Sequence, residues 1–515
     1  MENGEATGTR VEHTDRAGIH ARQSSCRRSR RGFLLRLPSL VVKRTLIAAA
    51  SAALVFLALS GSASAFTKQD PVVTSFDGTR LATTLYVPDG AAPAGGWPAI
   101  VLFHGLGGNR AGMGAIAAAM GLIGEQYVVL TVDARGHGES GGLFEGDGPN
   151  EVRDVQTLFS WLAARPDVAD ARIGAWGISL GGGAVWRSVV DGIPFAAGEV
   201  VETWTDLISA LAPQGLAKTG LIFGFLQAVP TDRIGPEVLA VKGPVLASDI
   251  TPAVRDFAAQ RSSRQALGSV KTPMFLFQGR RDYAFDIDQA WQGYKLLQGP
   301  KRLYIGDFGH PPSTFPGPDV AVVFAEGADW FARYLKNEPN GIDKRKPVEL
   351  APSPFKEAGV VSYTSLPPTR ALSLVLPGSN TIGPSDKVVR VVRLPKGLTE
   401  TFGSPTVTAT LSSTSSYPHL VAVLAARLPD GSDYVIGEGG VPLTLSRTPK
   451  PVVIRLAFWA TTLPAGSKVS LTLAATSTAY DPGNLVYFSG VPDGSKLTVG
   501  KVTLRIPVLQ KPISG

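Results

Sequence analysis

The stretch Ile173-Gly174-Ala175-Trp176-Gly177-Ile178-Ser179-Leu180-Gly181-Gly182-Gly183 decides the fold of this 515-residue chain. It begins as a short apolar strand, passes through Gly-x-Ser-x-Gly and continues into a segment that favours a helix. In this setting the motif predicts a nucleophile elbow, a sharp turn that exposes the hydroxyl of Ser179. Because a chain with 58 glycines produces such motifs by chance, the prediction depends on matching residues elsewhere.

Apolar runs around the elbow predict a parallel sheet with helices on both faces. Residues 99–103 and 128–132 are continuous apolar runs, which are typical of strands buried on both sides. A hairpin with its turn at Asp77-Gly78 precedes them. Strand and helix patterns alternate as far as residue 203, so the predicted class is α/β.

Residues 204–267 interrupt this alternation. They carry several prolines, the apolar segment Gly220-Leu221-Ile222-Phe223-Gly224-Phe225-Leu226 and no clear strand pattern. We predict a helical cap inserted over the sheet, which would shape a pocket. The alternative is a long packing excursion with no role toward a substrate.

Two further residues follow predicted strands after the cap. Asp282 comes directly after the buried strand Pro273–Gly279, and His310 follows a strand near residues 302–305. Ser179, Asp282 and His310 therefore occur in the chain order of an α/β-hydrolase triad. His310 would act as the base, and Asp282 would fix its tautomer. Such chemistry proceeds through an acyl-enzyme and requires no metal or organic cofactor.

Other residues of the same types remain as alternatives. Asp286, Asp288 and Asp206 compete with Asp282 for the role of the acid. For the base, the other histidines beyond residue 65 are placed less well. His137 belongs to a predicted structural turn, and His419 lies in a different domain.

A fourth histidine, His104, follows the strand at residues 99–103 in the segment His104-Gly105-Leu106-Gly107-Gly108. A loop at this position, before the elbow, usually supplies one backbone donor to the oxyanion hole. We therefore predict that the backbone N–H groups of Leu106 and Leu180 hold the oxyanion.

The first 65 residues predict an export signal. An Arg-rich segment precedes an apolar run from Thr45 to Ser60, and Ala63-Ser64-Ala65 ends it, so cleavage is expected before Phe66. The mature protein is then secreted or held in the cell envelope, with only transient membrane contact. A permanent anchor is the alternative. Ser29-Arg30-Arg31-Gly32-Phe33-Leu34 resembles a twin-arginine motif, so the export route stays open.

Removal of this signal changes the charge and the cysteine content. It contains ten Lys and Arg against four Asp and Glu, so about six of the net charges of +8 leave with it. The basic pI therefore implies no nucleic-acid partner. Cys26, the only cysteine, leaves as well, which excludes disulfides, a cysteine nucleophile and cysteine-bound metal in the mature chain.

The carboxy-terminal third has a different periodicity. Residues 338–360 are rich in charge and proline and predict a linker after a catalytic domain at residues 66–337. In residues 361–515, short alternating segments such as 406–411 and 469–473 are separated by turns such as Pro429-Asp430-Gly431-Ser432. This pattern predicts a β-sandwich of the jelly-roll type. It either binds glycans or, as we favour, packs beside the active site.

Taken together, the motifs resemble the cocaine-esterase-like (CocE/NonD) hydrolases and the X-prolyl dipeptidyl peptidases. The resemblance rests on the elbow, on Gly279-Arg280-Arg281-Asp282-Tyr283-Ala284-Phe285, on Gly309-His310 and on the carboxy-terminal repeats Leu428–Ser432 and Leu463–Val469. It implies an α/β-hydrolase domain with a cap, followed by a galactose-binding-like jelly roll. The family's triad maps onto Ser179, Asp282 and His310.

Two departures from the family pattern leave the substrate open. Members that act on cocaine or X-Pro peptides typically have a Tyr after the nucleophile and use another Tyr hydroxyl in the oxyanion hole. Here Leu180 follows Ser179, and the loop is His104-Gly105-Leu106-Gly107-Gly108. X-Pro dipeptidase activity also needs a carboxylate that holds the free amino terminus of the substrate. The sequence does not assign this carboxylate, and Glu202 and Asp206 near the cap are the candidates.

We expect an exported serine hydrolase acting on a small ester, acyl-amide or peptide. The alternatives are an X-Pro dipeptidyl peptidase and a non-catalytic surface or glycan-binding protein. The oligomeric state is left open.

Overall fold

The computed structural model describes residues 66–513, so the predicted export signal lies outside the described residues. We call residues 66–363 the α/β part and residues 364–513 the β part. Between residues 66 and 513, no helix combines the length and the apolar character needed to cross a bilayer. The predicted α/β class with a carboxy-terminal all-β region is confirmed.

The α/β part is built on one mixed sheet of eleven strands. In chain order they are β1 (Phe66–Gln69), β2 (Val72–Thr74), β3 (Arg80–Pro88), β4 (Trp97–Phe103), β5 (Val128–Val132), β6 (Val168–Ile178), β7 (Ala197–Val201), β8 (Met274–Gly279), β9 (Lys301–Gly306), β10 (Val348–Leu350) and β11 (Val361–Tyr363). The spatial order is β1-β3-β5-β4-β6-β7-β8-β9-β10-β11, with β2 paired to β3 in the predicted hairpin. The strands from β5 to β10 run parallel, so their carboxyl ends meet at one edge.

Nine helices of the described chain cover this sheet or extend over its edge. They are α1 (Arg110–Ala119), α2 (Pro149–Ala163), α3 (Leu180–Val190), α4 (Leu207–Leu211), α5 (Thr219–Gln227), α6 (Pro236–Leu246), α7 (Pro252–Gln260), α8 (Ile287–Leu296) and α9 (Val320–Leu335). Helices α4 to α7 lie between β7 and β8, where the sequence predicts a cap. No strand falls within this insertion.

The apolar runs in the central strands reflect two hydrophobic cores, one on each face of the sheet. In β4, Val101 and Phe103 belong to one apolar cluster. Ile100 and Leu102 alternate with them and belong to the other. Because successive strand residues point to opposite faces, a strand covered on both sides must be apolar at every position.

The predicted linker at residues 338–360 is partly structured, which corrects the boundary drawn at residue 337. Strand β10 pairs in parallel with β9, and β11 pairs antiparallel with β10, so the sheet of the α/β part continues to residue 363. Three residues are too few to show a strand periodicity, and β10 owes its conformation to its pairing with β9.

The β part consists of two antiparallel sheets that share an apolar cluster. Its strands are β12 (Thr369–Leu376), β13 (Asn380–Ile382), β14 (Lys387–Val392), β15 (Thr399–Gly403), β16 (Thr406–Ser413), β17 (His419–Arg427), β18 (Asp433–Pro442), β19 (Lys450–Arg455), β20 (Trp459–Leu463), β21 (Lys468–Ala474) and β22 (Leu497–Leu509). One sheet contains β14, β21, β17 and β18, and the other contains the remaining seven strands.

Strand β17 connects the β part to the α/β part through its second face. One face, which includes Leu420 and Leu424, packs inside the β part. The opposite face, with Val421 and Val423, packs against Leu216 of the cap. This strand is therefore buried on both sides, unlike β16, in which buried and half-buried residues alternate.

Candidate active site

The turn between β6 and α3 places Ser179 at the carboxyl edge of the sheet. The φ of Ser179 is +54°, a left-handed conformation that non-glycine residues rarely adopt. A Cβ atom on Gly181 would lie 2.1 Å from the carbonyl oxygen of Phe103, and one on Gly177 would lie 2.1 Å from that of Gly181. Glycine is required at both positions, because any side chain would separate strand, turn and helix.

His310 connects Ser179 to Asp282. The Nε2 atom of His310 is 3.0 Å from Ser179 Oγ, and its Nδ1 atom is 2.8 Å from Asp282 Oδ2. The other oxygen of Asp282 accepts the backbone N–H groups of Ala284 and Phe285, at 2.7 and 2.9 Å. Asp282 is fully buried, so these bonds aim one oxygen at the imidazole. The structure thus brings together the three residues that the chain order predicts.

Neighbouring carboxylates set the pKa of His310. Burial of the imidazole lowers the pKa, but the charges of Asp282 and Glu202 outweigh this effect and raise the pKa to about 9. The two carboxyl groups therefore stabilise the imidazolium, the form that His310 reaches when Nε2 takes the proton of Ser179 Oγ.

The other carboxylates considered for the acid are engaged elsewhere. Asp206 caps α4 by accepting a backbone N–H, Asp286 accepts a backbone N–H from the β part, and Asp288 accepts an amide from its own helix. Among the described residues, none of these three is an ion-pair or hydrogen-bond partner of His310.

The two predicted oxyanion donors belong to backbone segments next to Ser179. Leu180 is the first residue of α3, so its N–H lacks an acceptor within the helix. Leu106 lies in the loop after β4, and this loop contacts the elbow. A Cβ atom on Gly105 would lie 3.4 Å from Ser179 Cβ. Both backbone segments thus border the hydroxyl of Ser179.

The remaining histidines have structural contacts. His104 is buried, which lowers its pKa to about 4. Its Nε2 accepts the N–H of Ala134 at 3.0 Å, so the ring joins the loops after β4 and β5. His137 packs against His104 with a ring-centroid distance of 5.0 Å. His419 bonds to backbone carbonyls within the β part.

Glu202 is the site residue whose position the sequence analysis missed. It follows β7 directly and is 2% exposed, and its Oε2 lies 3.5 Å from His310 Nδ1. The guess that it binds a substrate amino group is not supported by this burial. The signal available in the sequence was its position after a buried strand, the same position that identified Asp282 after β8.

Glu202, Asp282 and His310 also have the spacing of a cation site, with ligand atoms within 4.8 Å of one another. However, Nδ1 of His310 is hydrogen-bonded to Asp282, and Nε2 faces Ser179 Oγ. A metal ion would have to displace one of these contacts. The donor set therefore fits a proton-holding group better than a metal centre.

Apolar side chains from the cap surround the elbow. One cluster combines Leu180 of the elbow and Phe285 of the loop after β8 with the cap residues Trp204, Val229 and Ile234. The half-buried Leu106 packs against it, as do the half-buried cap residues Leu221, Phe225 and Leu226. The wall beside Ser179 is thus predominantly apolar.

The β part contacts the loop that carries Asp282. We call residues 280–286 the acid loop. The indole N–H of Trp459 donates to the carbonyl of Asp282 at 3.0 Å, and the N–H of Ala460 donates to that of Arg280 at 2.9 Å. Arg280 also forms an ion pair with Glu400 at 2.6 Å, and both side chains are buried. Strands β15 and β20 thus support the acid loop from outside the α/β part.

Comparison with known proteins confirms the predicted resemblance. Residues 77–228 match the family model of the X-Pro dipeptidyl-peptidase (S15) family, a family of serine hydrolases. A curated relative is the "Uncharacterized 31.7 kDa protein in traX-finO intergenic region" of Escherichia coli, 32% identical over 134 residues. The match covers 24% of this chain, and the chain spans slightly less than half, 45%, of that relative.

Solved structures share the fold across both parts. A CocE/NonD family hydrolase from Staphylococcus aureus has a TM-score of 0.66 at 17% identity, covering 86% of this chain and 94% of its own. An aminopeptidase from a marine-sediment Thaumarchaeota archaeon has a TM-score of 0.65 at 15% identity, and the match covers 86% of this chain and 97% of the aminopeptidase. An α-amino acid ester hydrolase has a TM-score of 0.60 at 14% identity, and the match covers 87% of this chain and 98% of that hydrolase. At these identities the likeness concerns the fold.

Proposed function

We propose that this protein is an exported serine hydrolase that cleaves an ester or acyl-amide bond through an acyl-enzyme on Ser179. The observation that carries the proposal is the chain of contacts from Ser179 Oγ to His310 Nε2, at 3.0 Å, and from His310 Nδ1 to Asp282 Oδ2, at 2.8 Å. A nucleophile, a base and a buried carboxylate in this geometry perform acyl transfer on several unrelated folds.

In the acylation step, Ser179 Oγ attacks the substrate carbonyl carbon and its proton moves to Nε2 of His310. The imidazolium then returns this proton to the leaving alcohol or amine as the carbon–leaving group bond breaks. Water repeats the sequence on the acyl-enzyme and releases the acid. The backbone N–H groups of Leu106 and Leu180 hold the oxyanion in both halves of the reaction.

We favour an ester with an apolar acyl or alcohol group as the substrate. The wall formed by Leu221 and Phe225 of the cap and Phe285 of the acid loop offers apolar contacts beside the nucleophile. Neither carboxylate considered for a free amino terminus is free for it, because Asp206 caps α4 and Glu202 faces His310.

An X-Pro dipeptidyl peptidase is the second candidate. It is favoured by the family model matched by residues 77–228 and by the aminopeptidase among the structures of similar fold. This activity requires an anionic group that recognises the substrate's amino terminus, so the two candidates differ in the charge that the substrate must carry.

Export and the fold type of the β part complete the proposal. The charged and apolar segments of residues 1–65 and the cleavage motif before Phe66 support secretion or retention in the cell envelope. The two antiparallel sheets around one apolar cluster are consistent with a jelly roll. Its contacts with the acid loop favour a supporting role over glycan binding.

The test is fluorophosphonate labelling of the purified chain from Phe66, combined with turnover of p-nitrophenyl esters and X-Pro-p-nitroanilides. We expect covalent labelling and ester turnover in the wild type. In Ser179→Ala, labelling is lost and turnover falls by about 10⁴-fold or more. Ser160→Ala, at an exposed serine on α2, is the control that retains both.

The outcomes separate the candidates. Preferential turnover of X-Pro-p-nitroanilides would replace the esterase assignment with the peptidase. A folded wild-type chain that is neither labelled nor active would contradict catalysis and favour a binding role on a hydrolase scaffold.

A further inference from the structure

A second carboxyl group lies beside the imidazole of His310. Glu202 Oε2 is 3.5 Å from Nδ1, the same nitrogen that is hydrogen-bonded to Asp282 Oδ2 at 2.8 Å. The two carboxyl groups come from adjacent parallel strands, since Glu202 follows β7 and Asp282 is in the loop after β8. Nδ1 therefore faces a primary partner and a second carboxyl within ion-pair distance.

The two carboxyl groups are held differently. Asp282 has Oδ1 bound by two backbone N–H groups, whereas Glu202 Oε1 has no hydrogen-bond partner among the described residues. Burial of a carboxyl without hydrogen bonds costs several kcal/mol, by the order of magnitude found for buried polar groups. For Glu202 the imidazole of His310, 3.5 Å from Oε2, offsets part of this cost.

The backbone of Glu202 is also in an uncommon conformation. Its φ is +48°, in the left-handed region that favours glycine. Its N–H nevertheless donates to the carbonyl of Phe277 in β8 at 2.9 Å, so a hydrogen bond to the neighbouring strand holds this strained residue at the edge of the sheet. Strained residues of this type cluster at functional sites, where the surrounding structure maintains them.

We propose that Glu202 is a positioning residue for His310, a second carboxyl group that stabilises the imidazolium together with Asp282 and replaces Asp282 when that carboxylate is removed. The inference rests on the proposed hydrolytic function. When Ser179 Oγ attacks the substrate carbonyl carbon and its proton moves to Nε2, the positive charge of the imidazolium lies beside Asp282 Oδ2 and Glu202 Oε2, and neither carboxyl group gains or loses a proton. The proton leaves again with the departing group.

The pH dependence follows from the titratable groups around this pair. They are Asp282 after β8, His310 after β9 and Asp319 at the start of α9. Burial raises the pKa of Glu202, whereas the imidazolium charge lowers it. In return Glu202 raises the pKa of His310, although Asp282 makes the larger contribution. Since the neutral imidazole is the base, activity is lost as the pH falls through the pKa of His310.

The experiment measures kcat/KM against pH, with a neutral p-nitrophenyl ester, for the wild type and for Glu202→Gln and Glu202→Asp. Loss of the carboxylate lowers the pKa of His310, so we expect the acidic limb of E202Q to move to lower pH and its plateau to fall by about tenfold. E202D, which keeps the charge, restores the limb toward the wild type. The matched control is Glu199→Gln, at a buried carboxyl on β7 that lies next to Gly327 of α9 instead.

A second comparison tests replacement of Asp282. In Asp282→Ala, Glu202 stays beside Nδ1, so we expect a residual activity that falls by about a further tenfold in the D282A/E202Q double variant. A wild-type acidic limb in E202Q, together with equal activity of D282A and the double variant, would overturn the proposal.

Two controls keep these outcomes distinct from other failures. If E202Q does not fold, Glu202→Leu fills the same space without a polar group. A folded E202L with a wild-type limb overturns the proposal, and a shifted limb supports it. Fluorophosphonate labelling of the wild type checks the underlying function, because an unlabelled wild type contradicts catalysis itself and a labelled wild type with an unchanged E202Q contradicts only the role of Glu202.

Discussion

The turn that carries Ser179 and the loop that carries Asp282 are held in place by different parts of the molecule. Ser179 is fixed within the α/β part, where its N–H donates to the carbonyl of Val201 and its carbonyl accepts the hydroxyl of Thr203, both at 2.8 Å. The acid loop instead receives hydrogen bonds from Trp459 and Ala460 of the β part.

The difference indicates that the two parts of the molecule position different residues of the site. The central sheet alone positions the nucleophile, because parallel strands bring their carboxyl ends together. The orientation of the His310–Asp282 pair depends additionally on side chains more than 100 residues away. Substitutions in the β part should therefore alter proton transfer, whereas substitutions at the elbow should alter the nucleophile and the fold together.

The largest expected effect is at the elbow. In Gly181→Ala the new methyl group would lie 2.1 Å from the carbonyl oxygen of Phe103, and strand and helix must separate. We expect a loss of about 3 kcal/mol in the free energy of unfolding, measured in urea, together with loss of fluorophosphonate labelling. The control is Gly224→Ala on α5, where a Cβ atom meets nothing within 4 Å and stability is kept or slightly raised. Normal stability in G181A would show that the elbow tolerates a side chain.

The next effect concerns the buried ion pair across the two parts. Glu400→Gln leaves the charge of Arg280 buried opposite a neutral amide, and breaking such pairs costs about 3–5 kcal/mol. We expect a lower Tm in calorimetry. We also expect kcat/KM to fall by more than the loss of folded protein explains. Asp433→Asn, which breaks an exposed Arg–Asp pair in the β part, is the control. If both variants melt alike, the pair does not support the acid loop.

The smallest effect isolates one hydrogen bond to the acid loop. Trp459→Phe keeps an aromatic ring against Tyr283 but removes the donor to the Asp282 carbonyl. A hydrogen bond of this kind contributes about 1 kcal/mol, so kcat/KM should fall by about fivefold through kcat. Trp161→Phe on α2 serves as the control. A change in KM alone would instead indicate that Trp459 contacts the substrate.

The elbow and the α/β class could be predicted because their signals are local. The spacing of Gly177, Ser179 and Gly181 reflects steric contacts within a few residues, and continuous apolar runs reflect a sheet covered on both faces. The order of Ser179, Asp282 and His310 was also readable, since each follows a buried strand and parallel strands end at one edge.

The role of Glu202 and the length of the sheet could not be read in this way. Glu202 also follows a buried strand, but its contact with His310 arises from the pairing of β7, β8 and β9, and no spacing in the chain records that contact. Likewise β10 is a strand only because β9 offers it an edge. Both features arise from tertiary pairing, which a local pattern does not encode.

The pairing of β9 with β10 bears on how this protein can be shortened. A chain ending at residue 337 would expose the backbone edge of β9, and open edges of this kind pair with other copies and aggregate. It would also remove Glu349, which pairs with the buried Arg302 at 3.0 Å. Truncations intended to yield a soluble α/β fragment should therefore extend at least through Tyr363, so that β10 and β11 close the sheet.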